Sequence, residues 1–144
     1  MLIKIDGFEN LYYLGNESSL NPLEELYRRK STRSEARLWV VYMRKLDLYG
    51  IDRMVRANQA RMLDAGLSLV ELKLHGEAYR FACYVHELPL EVMNTVLLFE
   101  FRGHQGKTSA IPKEILVRAE AQARIARCVC EEYFGKGRYE NDLS

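Results

Sequence analysis

The chain has 144 residues with a formal charge of +1; 48% of them are hydrophobic and 28% charged. That mixture is ordinary for a globular domain with its own core, and it excludes collagen-like, low-complexity and strongly disordered classes. No apolar run approaches the roughly 18 residues of a membrane helix, the first residues do not read as a signal peptide, and three cysteines do not make a disulfide framework. The expectation is therefore a cytoplasmic protein, with one domain over residues 1–135 and a frayed polar tail over 136–144.

Residues 2–14 carry Ile3, Ile5, Phe8, Tyr12 and Tyr13 and predict strand, as one piece or two; Gly15-Asn16 is a turn signal. Asn21-Pro22-Leu23-Glu24 predicts a helix start, with Asn21 as cap, Pro22 in the first turn and Glu24 reaching back. Thr32-Arg33-Ser34-Glu35 predicts a second capping box. The helix it opens has Leu38, Val41, Tyr42, Leu46 and Tyr49 at helical spacing and ends at Gly50. A further short helix is expected from Asp52 to near Gly66. Tyr12, Tyr13 and Trp39 read as core residues.

From Leu69 the period changes to two. Val70, Leu72 and Leu74 alternate with Glu71, Lys73 and His75. After a turn at Gly76-Glu77, Tyr79, Phe81, Cys83 and Val85 alternate with Arg80, Ala82, Tyr84 and His86. A third strand is expected over 95–102. Pro112 opens a last helix with the stripe Ile115, Ala119, Ala123, Ala126, Cys130 and Tyr133, stopped by Gly135. Cys128 and Cys130 lie two apart on that helix, so they do not share a face and read as packing residues rather than zinc ligands.

Charge is unevenly spread. Residues 28–61 hold ten Lys and Arg against three acids. Such a block suits phosphates, an acidic protein partner, or a solvated helix face. Strand alternation predicts one covered face and one polar face. If Leu72, Phe81 and Cys83 are covered, and Phe99 and Phe101 with them, the other face collects Glu71, Lys73, His75, Arg80, Tyr84, His86, Glu100 and Arg102. The following loop adds His104 and Lys107. Cleavage of RNA through its 2′-hydroxyl needs a base, an acid and cations for the phosphorane charge, and such side chains supply all three. A polar face is also what any half-exposed antiparallel sheet shows. Gly103-His104-Gln105-Gly106-Lys107-Thr108 lacks the spacing of a nucleotide-binding phosphate loop.

Four segments in register resemble the phage-derived, HigB-like branch of the RelE/ParE toxin superfamily. Ser19 to Leu26 resembles its "SPVEEFL" helix start, and Leu69-Val70-Glu71-Leu72-Lys73 its "LYELR" strand. Tyr79-Arg80-Phe81-Ala82-Cys83-Tyr84 resembles "YRIFYF". Val96 to Arg102, with Gly106-Lys107-Thr108 and Pro112 to Ile115, resembles "VLLHGFRKKTQKTP" followed by "EI". The likeness runs from about residue 3 to residue 130. It implies a compact α+β domain: helices on one face of a twisted, mostly antiparallel sheet, and a C-terminal helix. It also implies a metal-independent, cofactor-free endoribonuclease that cuts mRNA on the ribosome, held by an antitoxin that commonly carries a helix-turn-helix. A homodimer or a toxin–antitoxin hetero-oligomer would suit that role.

On this basis the catalytic residues are expected to be Lys73, Arg80, Tyr84, His104 and Lys107, with His104 or His86 moving protons. Arg102, His86, Lys45, Arg53 and Arg56 are expected to contact RNA. The chain departs from the family pattern where Gly103 and His104 replace a lysine pair. Two alternatives stay open: a ParE-like, non-catalytic inhibitor of DNA gyrase, and a decayed prophage relative that only binds.

Overall fold

The computed structural model describes residues 1–16, 18–29, 33–74, 79–88, 93–103 and 111–135. In chain order they form β1 (Leu2–Lys4), β2 (Leu11–Leu14), α1 (Pro22–Arg28), α2 (Arg33–Tyr49), α3 (Ile51–Arg56), β3 (Ala60–Asp64), β4 (Leu69–Lys73), β5 (Tyr79–Glu87), β6 (Met93–Arg102) and α4 (Lys113–Phe134). The class is α+β. Among the described residues one six-stranded sheet runs in the order β1-β2-β6-β5-β4-β3. β2 lies parallel to β6, and the other neighbouring pairs are antiparallel.

Local signals explain most element boundaries. The N-terminal segment is two strands, turned at Gly7 with φ +88° and closed by Ile5 N–H donating to Leu11 O at 2.9 Å. Asn21 caps α1 as expected: its Oδ1 accepts from the N–H groups of Leu23 (2.9 Å) and Glu24 (3.0 Å), and its amide donates to Glu24 (2.7 Å). Thr32 of the second expected capping box lies outside the described residues. Glu35 is buried and accepts from the Tyr79 N–H at 3.1 Å, tying the start of α2 to the start of β5. At the other end of α2, Asp47 accepts from the N–H groups of Glu9 and Asn10 at 3.0 and 2.7 Å and anchors the β1–β2 turn.

Two expectations about the helices give way. The short helix ends at Arg56, not near Gly66. Asn58 takes a positive φ of 58°, the chain reverses, and residues 60–64 become the edge strand β3, paired from Ala60↔Leu72 onward. Ala, Arg, Met and Leu favour helices in isolation; pairing with β4 overrides that preference. The buried face of α2 is also rotated from the expected one. It presents Ala36, Trp39, Tyr42, Met43 and Leu46 to the sheet and leaves Leu38, Val41 and Tyr49 exposed.

The sheet is covered on both faces. On one side α1, α2 and α3 pack on Val70, Leu72, Phe81, Cys83 and Leu97. Trp39 is fully buried there, edge-on to Tyr42 (4.9 Å) and Phe81 (4.7 Å). On the other side α4 lays Ala119, Ala123, Ala126 and Cys130 against Leu2, Tyr12, Ala82, Tyr84, Val96, Phe99 and Phe101. Alanines at these positions let the helix axis approach the strands closely. Tyr133, expected in this stripe, is exposed. Gly135 ends α4 with φ +97° and donates its N–H to Glu131 O.

β6 is bulged. Ala82 pairs with Phe99 but Cys83 pairs with Leu97, so Leu98 is the extra residue. The bulge reverses the expected facing beyond it. Phe99 and Phe101 lie on the α4 side, where Arg80 stands opposite Phe101; Glu100 and Arg102 lie on the α1–α3 side, opposite Phe81 and Tyr79. Glu100 accordingly pairs with Arg29 at the end of α1, while Arg118 of α4 stacks 3.9 Å over the Phe99 ring. No helix among the described residues is long and apolar enough to cross a membrane.

The cysteines provide a test of this layering. Cys83 and Cys130 are buried, and burial raises both thiols, that of Cys130 to about 12; Cys128 is exposed. A thiol reagent applied to the native protein at pH 8 is expected to modify Cys128 rapidly and the other two only after unfolding. Rapid reaction of all three without denaturant would contradict the packing of α4 and β5.

Candidate functional site

Among the described residues a group of paired charges lies where β3, β4 and β5 meet near the edge of the sheet. Register places Arg61 opposite Glu71 and Lys73 opposite Arg80. The alternation that turns Leu72 and Phe81 toward α2 turns these four side chains to the other side of the sheet. Glu71 is 6% exposed. Its Oε2 accepts from Arg61 Nη2 at 2.9 Å, and its Oε1 lies 3.7 Å from Arg80 Nε. A carboxylate this deep must be paired, since an isolated buried charge costs several kcal/mol. Arg80 also donates from Nη1 to the Tyr79 carbonyl at 3.3 Å, and its side chain is 22% exposed. The Arg61 Nε is buried with no hydrogen-bond partner among the described residues. Two arginines thus converge on one carboxylate, with Lys73 cross-strand from Arg80, an excess of positive charge that suits the binding of a further anion.

Tyr84 and His86 do not belong to this cluster. Both are about 1% exposed, enclosed beneath α4 and not on an open face. His86 Nε2 lies 2.9 Å from the Gly135 carbonyl, which can only accept, so Nε2 carries the proton; Nδ1 then accepts from the Tyr84 hydroxyl at 2.7 Å. The Phe134 ring stacks on the imidazole at 6.0 Å. The histidine is a latch between the sheet and the C-terminal end of α4. It also stands six residues from Arg80 along β5, about 20 Å at the rise of a strand. That is too far for one reacting phosphate to touch both.

The remaining expected residues scatter. Arg102 is exposed on the α1–α3 side of the sheet, across from Tyr79. Lys45, Arg53 and Arg56 are exposed on α2 and α3, across the sheet from Arg80; Arg53 sits 4.0 Å over the Tyr49 ring. His75, His104 and Lys107 lie outside the described residues. Of the expected catalytic set, then, the structure brings Lys73 and Arg80 together. Two members of the cluster went unrecognised in the sequence. Alternation put Glu71 on the right face, but nothing marked it as the group around which arginines gather. Arg61 was hidden by the expectation of helix through residue 61.

Among the described residues no group of three His, Cys, Asp or Glu side chains is placed to hold a metal ion. Comparison of the sequence with protein-family models and with curated proteins finds no match.

The latch can be tested by a double-mutant cycle. His86→Phe keeps the ring but removes the acceptor for Tyr84 inside the core, and should cost about 1–3 kcal/mol in urea unfolding. Adding Tyr84→Phe should recover part of that loss, because the hydroxyl is then gone as well. Strict additivity of the two substitutions would show that the Tyr84–His86 contact does not hold the helix end.

Proposed function

We propose that this chain is a RelE/HigB-like toxin that cleaves RNA, and that phosphate is held at the Arg61–Glu71–Arg80–Lys73 cluster. The observation that carries the reading is the cross-strand pair Lys73 and Arg80, drawn together on the two strands whose sequences resemble the family's. The α+β fold with a C-terminal helix agrees with the same likeness.

In this reading Arg80 and Lys73 neutralise the charge that develops on the non-bridging phosphoryl oxygens as the 2′-oxygen attacks, and Glu71 holds Arg61 and Arg80 in place. The 5′-oxygen leaves as a hydroxyl, and a 2′,3′-cyclic phosphate remains on the other fragment. Proton transfer falls to His104 and Lys107. They follow β6 directly in the chain, and β6 ends opposite Tyr79, the neighbour of Arg80. Tyr84 and His86 hold the end of α4 on the sheet and take no part in the chemistry. Lys45, Arg53, Arg56 and Arg102, on the other side of the sheet, are left out of the RNA path. The proposal includes a cytoplasmic setting, mRNA on the ribosome as substrate, and an antitoxin as partner.

A second reading has its own observation. With Tyr84 and His86 buried, the described cluster contains no histidine or tyrosine to move a proton, as suits a ParE-like protein that inhibits DNA gyrase by binding.

Expression of the chain alone in a bacterial host, with mapping of new RNA 5′ ends, separates the two. Wild type should produce new mRNA ends and Lys73→Ala should reduce their rate of appearance about 100- to 1,000-fold. Arg80→Lys, which keeps a charge beside Glu71, controls for folding and should retain more activity than Arg80→Ala. Growth arrest with intact RNA and inhibited supercoiling would favour the gyrase reading. Absence of arrest would favour a decayed relative.

A further inference from the structure

The outer face of α2 carries a second apolar stripe that the fold leaves uncovered. Leu38, Val41, Lys45 and Leu48 recur at alternating spacings of three and four, the a/d pattern of a coiled-coil seam. All four are exposed, Val41 to 56% and Leu48 to 76%. Arg37 and Arg44 occupy the two g positions flanking the seam, and both are exposed. Among the described residues no ion pair within 4 Å engages Arg37, Arg44, Lys45 or Arg53. Where α2 gives way to α3, a cavity of about 330 Å³ opens between Lys45, Tyr49, Arg53, Met54, Ala57 and Gln59. The inner face of the same helix is already committed to the core through Trp39, Tyr42, Met43 and Leu46.

We infer that this seam docks an acidic amphipathic helix belonging to a separate protein. The stripe is one helix wide and, from residue 38 to residue 48, about 15 Å long. Apolar a/d positions bury against the facing helix, g-position charges choose the partner, and a charged residue at an a position fixes register. Here both g positions are cationic, so the facing e and g positions of the partner are Glu or Asp, and Lys45 at an a position adds to the positive charge. A second copy of this chain fits poorly: it would set six cations into one interface with no seam carboxylate between them. A nucleic-acid backbone fits poorly as well, because the centre of the strip is Leu and Val. The surface lies across the sheet from Arg80, so the inference stands or falls apart from RNA cleavage.

The test uses the intact protein and two synthetic three-heptad helical peptides. Both carry Leu at a and d; one has Glu at e and g, the other Lys. The glutamate peptide should bind about tenfold or more tightly than the lysine peptide by fluorescence anisotropy. Val41→Gln with Leu48→Gln should weaken that binding about tenfold, while circular dichroism and the melting temperature stay unchanged, since both side chains are mostly in solvent. Arg37→Glu with Arg44→Glu should invert the preference between the peptides. Equal binding of the two peptides, or no binding of either, would overturn the inference. So would displacement of the glutamate peptide by poly-uridine RNA or anionic vesicles, or self-association of the chain that Val41→Gln with Leu48→Gln abolishes.

Discussion

Burial of the sheet on both faces is the constraint from which the other features follow. A sheet open on one side tolerates polar residues every second position, because water satisfies them. Here α4 removes that water. Each polar side chain on its side of β4 and β5 must find a protein partner or reach the edge. Glu71 does so through Arg61 and Arg80, and His86 through Tyr84 and Gly135. The same burial demand thus gives an ion cluster at the β3 edge and a hydrogen-bonded chain under the end of α4.

The difference between these two solutions follows from position. α4 crosses β5, β6 and the N-terminal strands with alanines against the sheet, and its contact fades toward β3. Where the helix is thick on the sheet, the polar group is an imidazole engaged at both ring nitrogens. Toward the edge strand, long guanidinium side chains lie along the sheet and keep contact with solvent. The electrostatic character of the molecule therefore changes along a single strand, from Arg80 at one end of β5 to His86 at the other.

Much of the architecture was legible in the sequence. The Asn21 cap, the alternation in β4 and β5, the Gly135 stop and the alanine stripe of α4 each reflect a local rule with a fixed period or geometry. What was not legible depended on contacts distant in sequence. The segment 60–64 has helix-forming residues and becomes strand through pairing with β4. One inserted residue at Leu98 reverses the facing of Phe99 to Arg102, and alternation cannot count an insertion it does not see. In α2 two apolar stripes compete, and Trp39 decides which one turns inward. The site is the least legible part, because alternation along β5 gives facing but not proximity: Arg80, Tyr84 and His86 share a side without sharing a neighbourhood.

The parallel pairing of β2 with β6 has a consequence for the order in which the molecule is built. Tyr12 and Tyr13 sit beside Val96 and Leu97, partners separated by more than half the chain. During synthesis the β1–β2 hairpin emerges well before β6 and has no strand to join until β6 has been made, and contacts so distant in sequence form slowly. Its exposed edge must wait in an unfinished chain, the condition in which strands pair wrongly or aggregate. Asp47 grips the hairpin turn through Glu9 and Asn10, which gives the hairpin a second anchor, on α2, besides its pairing with β6.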